Sequence, residues 1–171
     1  MFDKEYVFRG KHAEMVRKLT AKLDDSVGRS LFKTNYDVYA IAPVVGLMYN
    51  RKAELDKGKA DSDVTKIFRD KMMDEKDQLV FNYRLIMMQA LKGKKTLEER
   101  TEIAFKLDDN DVARKPYDEL YDSYVRGGVE IIYDKIFTGQ ESTDDIIKNM
   151  YSFFEEVNER CYRVSSEIEL Q

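Results

Sequence analysis

The chain has 171 residues, 43% hydrophobic and 36% charged, with a net charge of −4. That is enough apolar material for a domain with its own core, which excludes global disorder, and the acidic balance excludes indiscriminate coating of nucleic acid. Two prolines and eight glycines in the whole length favour long helices over many short strands and turns. The expected fold is therefore all-α: a compact single-domain bundle over residues 1–171, with about six or seven helices around two buried ones.

Residues 1–10 carry Tyr6, Val7 and Phe8 ahead of Gly10, and the expectation is a short extended piece or a fraying end. Met1 to Glu5 lack the apolar core of a signal peptide, and the only cysteine, Cys161, has no internal partner for a disulfide. Both point to the cytoplasm. The spacing of Met15, Val16, Leu19 and Leu23 predicts a first helix over 11–25. His12, the only histidine, reads as a helix-end residue at the edge of the core. A single histidine excludes both a His-based metal site and a pair of Glu-x-x-His motifs.

Residues 26–33 read as a connector. The next helix opens at Thr34, whose side chain suits the free N–H groups of a first turn, with Asp37 three residues on. From Val38 to Tyr49 nearly every side chain is apolar, which predicts a central helix enclosed by others. The run is too short to span a membrane, which takes about 20 residues. Gly46 lets a neighbouring backbone approach, and Arg51 and Lys52 follow at the C-terminal end.

Ser62 or Asp63 is expected to cap a short helix bearing Val64, Ile67 and Phe68. A long helix over 70–91, broken near Met73 and Asp74, has only Asn82, Arg84 and Gln89 as polar residues after Leu79. It reads as the second largely buried helix, and its methionines suit either core gaps or an adaptable contact surface. Thr96 and Glu99 make a capping box for a helix to about residue 107, with Leu97, Ile103, Ala104 and Leu107 inward. Asp108 to Asp111 is not a calcium loop, because Val112 and Ala113 fall where an EF-hand needs an oxygen ligand and a glycine.

Pro116 is expected in the first turn of a helix over 116–137. The mid-helix pair Gly127-Gly128 implies either close packing of a neighbour or a break. Ser142 or Thr143 opens the last helix, where Ile146, Ile147, Met150, Phe153, Phe154, Val157, Cys161 and Val164 recur at helical spacing. Cys161 on that stripe reads as a packed, inert thiol.

No nucleophile elbow, phosphate loop or dinucleotide-binding glycine motif occurs, so the chain reads as a non-enzymatic protein with no cofactor and no metal. Two stretches together resemble a known family. One runs from Phe32-Lys33-Thr34 through Asp37, Val38, Ala42, Gly46 and Arg51 to Leu55. The other is Tyr124-Val125-Arg126-Gly127-Gly128-Val129, followed by Ile132 and the pair Asp144-Asp145. The arrangement resembles the small Dnd system-associated proteins encoded beside bacterial DNA phosphorothioation and phage-defence genes. Pro43 and the stretch from Leu91 to Pro116 lie outside the resemblance.

The resemblance implies an accessory or adaptor protein whose partners are other proteins of a defence or DNA-modification complex. The methionine-rich and tyrosine-rich faces also leave room for a homodimer. The alternative is a DNA-binding accessory protein or transcriptional regulator. Residues 1–59 hold 12 Lys+Arg against 8 Asp+Glu, and the remainder 17 against 25, so a basic surface belongs to the N-terminal half. The candidate DNA contacts are Arg29, Lys33, Arg51, Lys52, Lys57 and Lys59, near the two ends of the central helix.

Overall fold

A computed structural model describes residues 1–23, 28, 30–58, 63–140 and 142–168, with side chains to residue 162. The order is β1 (Tyr6–Arg9), α1 (Gly10–Thr20), α2 (Asn35–Met48), β2 (Val64–Ile67), α3 (Arg69–Asp74), α4 (Lys76–Ala90), α5 (Leu97–Phe105), α6 (Asp111–Phe137) and α7 (Thr143–Ile168). The molecule is mainly helical, as expected. Among the described residues no helix is long and apolar enough to cross a membrane. The placements of Arg29, Lys59 and Ser62 fall outside the described residues.

The helix of the longest apolar run forms as its ends dictate. Thr34 Oγ1 accepts from the Asp37 amide at 3.4 Å, and Asp37 Oδ2 accepts from the Thr34 amide at 2.7 Å, closing the capping box on α2. At the other end Asn50 turns left-handed (φ 48°). The Arg51 amide then donates to the Gly46 carbonyl at 2.8 Å and the Asn50 amide to that of Leu47 at 3.0 Å, a Schellman stop with asparagine in the place glycine usually takes.

α2 packs most extensively on α6, and small residues make that contact. A Cβ at Gly128 would overlap the Ala42 carbonyl oxygen, one at Gly46 the Tyr124 carbonyl oxygen and one at Gly127 the Arg51 carbonyl oxygen. Val38, Val45, Val125 and Val129 fill in around this seam and are buried. The glycine pair therefore marks close packing, and α6 runs through it unbroken for 27 residues, about 40 Å. α4 joins through Asn82, buried, whose Nδ2 donates to the Ala40 carbonyl at 2.7 Å.

Several expectations are corrected. Residues 64–67 form a strand, not a short helix, and pair antiparallel with β1 in the register Tyr6↔Ile67 and Phe8↔Thr65. Phe8, Thr65 and Ile67 are buried while Lys66 and Phe68 are exposed, so this stretch follows a period of two and its β-branched residues suit the ribbon. The long helix does break where expected, just after Asp74, at Glu75 between α3 and α4. α4 is buried on one face only. Leu79, Tyr83, Ile86 and Met87 are inside, but Phe81 on the other side is 62% exposed. α2 has the same asymmetry at Ile41, which is exposed.

Leu97, expected inward, is exposed in the first turn of α5, although the Thr96–Glu99 capping box forms as read. α6 begins five residues before Pro116, capped by Asn110, whose Oδ1 accepts from the Ala113 amide at 3.1 Å. Pro116 is tolerated because the carbonyl it leaves without a donor belongs to Val112, which is exposed to water. α7 opens at Ser142, whose hydroxyl donates to Asp145 Oδ2 at 2.8 Å. Its stripe buries Ile146 and Phe153, but Phe154 and Cys161 are exposed. The packed-thiol reading of Cys161 therefore does not hold.

Candidate functional site

The chain brings two cations and a histidine ring to one buried carboxylate. Glu130, on α6 next to the glycine seam, has its side chain 5% exposed. Its Oε1 accepts from Lys11 Nζ at 2.7 Å and from His12 Nε2 at 3.2 Å. Its Oε2 accepts from Arg51 Nε at 3.0 Å and Nη2 at 2.7 Å. Burial pushes the Glu130 carboxyl up, but the bonds from Lys11 and Arg51 outweigh it and hold the group below its ordinary value. Burial pushes the His12 ring down, against the pull of Glu130. His12 is thus neutral at pH 7, with its proton on Nε2 facing the carboxylate.

The segment 51–58 runs across α6 and closes on α1. The Ala53 amide donates to the Ser123 carbonyl at 3.0 Å, and Arg126 Nε donates to the Ala53 carbonyl at 2.9 Å. Asp56 accepts from the Lys11 and Gly58 amides, each at 2.9 Å. These amides hold its carboxyl below the usual range, and its charge faces the positive end of α1.

This arrangement sorts the expected DNA contacts. Arg51 is bound to Glu130, and Lys52 lies 5.2 Å above the Tyr124 ring. Lys57 is exposed beside Asp56. Lys33 is exposed at the opposite end of α2, about 20 Å of helix away. Arg51, Lys52 and Lys57 share one segment, and Lys33 stands apart from them. Among the described residues no group of His, Cys, Asp or Glu converges as a metal site would require.

The larger open feature is apolar. α2 presents Ile41, Val44 and Met48, and α4 presents Phe81, Leu85 and Met88. Two adjoining grooves meet at Leu85. One of about 540 Å³ is lined by Val80, Phe81, Arg84, Met88 and Phe105. The other, of about 800 Å³, is lined by Val44, Leu47, Met48 and the α7 residues Glu156, Glu159, Arg160 and Cys161. Arg84 spans the first groove, donating to Asp108 at 2.9 Å and lying 4.9 Å over the Phe105 ring. Sequence reasoning assigned this strip to the core, because a helix apolar on two faces does not reveal which one a neighbour covers. Glu130 was missed as well. Its position inside the run Val129 to Ile132 was the available signal.

No curated protein and no solved structure matches the chain. A family model described as DNA sulphur modification system-associated protein 4 matches residues 9–165. The match takes in Pro43 and the stretch from Leu91 to Pro116 as well as the two stretches that carry the resemblance. With residues 9–165 of its 171 matched, the chain belongs to the family of DNA sulphur modification system-associated proteins.

Proposed function

We propose that this chain is a non-enzymatic, cytoplasmic adaptor of the DNA sulphur modification system, folded as one domain, that holds another protein of that system against the strip formed by α2 and α4. The observation that carries this reading is the exposure of Phe81 (62%), Phe105 (49%) and Ile41 (40%) around grooves lined by Val44, Met48 and Leu85. Large apolar side chains gathered at one exposed place are the usual mark of a contact surface. The DNA-contacting alternative draws less support, since Arg51 is engaged by Glu130 and Lys33 lies at the far end of α2.

The test is co-purification of the tagged chain with the other proteins of the system, for the wild type and for Phe81→Asp combined with Leu85→Glu. Phe81 is mostly in water, so the first change should alter stability by no more than about 0.5 kcal/mol. The expected result is loss of the bound partner from a variant whose melting temperature shows it folded. Retention of the partner by that variant, or binding of duplex DNA that falls steeply with salt and is lost with Lys52 and Lys57, would overturn the reading. Light scattering separates a second copy of the chain from a different protein as the occupant.

A further inference from the structure

The apolar strip uses one side of α2 and α4. Two residues from Ile41 and Phe81, about 200° around each helix, Tyr39 and Tyr83 serve a different place. With Tyr6 and Tyr121 they line a cleft of about 310 Å³ walled by the N-terminal segment, α3, α4 and α6. The rings follow one another in contact, with centroids 4.4 Å apart for Tyr6–Tyr39, 6.3 Å for Tyr39–Tyr121 and 5.4 Å for Tyr83–Tyr121. Phe2 closes one wall, edge-on to Tyr121 at 5.8 Å.

Five carboxyl groups line the same cleft, Asp3, Glu5, Asp111, Asp118 and Asp122. Arg114 Nε donates to Asp118 at 3.1 Å. Asp122 has Arg126 four residues on, whose guanidinium gives its Nε to the Ala53 carbonyl and whose charge draws the Asp122 carboxyl down against its burial. Burial pushes the Asp122 carboxyl up to about 7. The Tyr121 side chain is 2% exposed, and its buried hydroxyl meets no hydrogen-bond partner among the described residues. Across the whole lining, carboxyl side chains outnumber cationic ones.

Three separate properties ask for the same ligand. Tyrosine rings attract a positive charge over their faces. A carboxyl that burial has deprived of water regains its charge when a cation arrives. A buried hydroxyl without a partner is satisfied by an N–H donor. The apolar ring surface suits a short hydrocarbon stem behind the charge. We propose that this cleft binds a primary alkylammonium group, carried either by a lysine side chain of a partner protein or by a free polyamine.

The experiment is an NMR titration of the full chain with n-butylammonium chloride, with sodium chloride at matched ionic strength and n-butanol as the neutral counterpart. Saturable shifts at Tyr39, Tyr83 and Tyr121 with n-butylammonium alone are expected. Asp122→Asn should weaken that binding about tenfold or more, and Tyr121→Phe should weaken it by a smaller factor, with both variants folded by their spectra. Equal response to n-butanol, no saturable response to n-butylammonium, or undiminished binding by folded Asp122→Asn would each overturn the proposal. Spermidine and N-acetyl-lysine amide then identify the source. Tighter spermidine supports a free polyamine, and tighter lysine amide supports a partner's side chain.

Discussion

Glu130 shows how a single buried side chain can join parts of the chain far apart in sequence. Lys11 and His12 start α1, Arg51 follows the end of α2, and all three converge on one carboxylate of α6. The pH consequence has a definite sign. The unfolded chain protonates His12 near its ordinary value of 6.5, whereas the folded ring resists protonation. Stability therefore falls as pH drops below that value. Glu130 is held below its ordinary 4.5, so its contribution is present above that value and is lost as pH falls through the lower, folded one.

Denaturant melts from pH 8 to 3 should show both losses. Glu130→Gln should remove the lower one and cost about 1–3 kcal/mol at pH 7. Little of this was legible in the sequence. His12 could be placed on a helix start, but ion pairs leave no periodic trace, and its partner lies 118 positions away.

Among elements, α2 and α6 carry the sharpest prediction. At Gly128 an added methyl group meets the Ala42 carbonyl, which cannot rotate away. Gly128→Ala should therefore cost about 3 kcal/mol or more, or prevent folding. Gly93 has a positive φ but open space around it, so Gly93→Ala should cost only about 1 kcal/mol. Urea midpoints of the two variants give the comparison.

This level of structure was the most legible. The capping boxes at Thr34 and Thr96 and the Ser142 start were readable because their partners lie three residues apart. The Gly127-Gly128 pair left close packing and a break both open, and only the structure names α2 as the neighbour it packs on. Residues 64–67 misled because three β-branched residues, Val64, Thr65 and Ile67, fit a helix turn as well as a strand, and the pairing partner at Tyr6–Arg9 is distant in sequence.

At the scale of the whole molecule, apolar patterning foretold the helices but not which apolar faces meet a neighbour. Phe81 and Leu85 are as hydrophobic as Leu79 and Ile86, and only the assembled bundle separates them. The same assembly grades local stability. Amides in the middle of α2 and α6 should exchange with deuterium only on global unfolding, whereas those of α7 past Val157 should exchange earlier. There Cys161 and Tyr162 are exposed, and exposed segments open at lower free energy than the core.

The joint between α2 and α6 also limits how the chain can change. Elsewhere in the interior a bulkier residue can be answered by a slimmer one opposite it. Where main chain rests on main chain there is nothing to trim, and an enlarged residue has to displace an entire rod, dragging with it Arg51 and the tyrosines mounted on both. Mutation at Gly46, Gly127 or Gly128 should therefore disturb the ion cluster and the aromatic cleft together, even though none of the three lines that cleft.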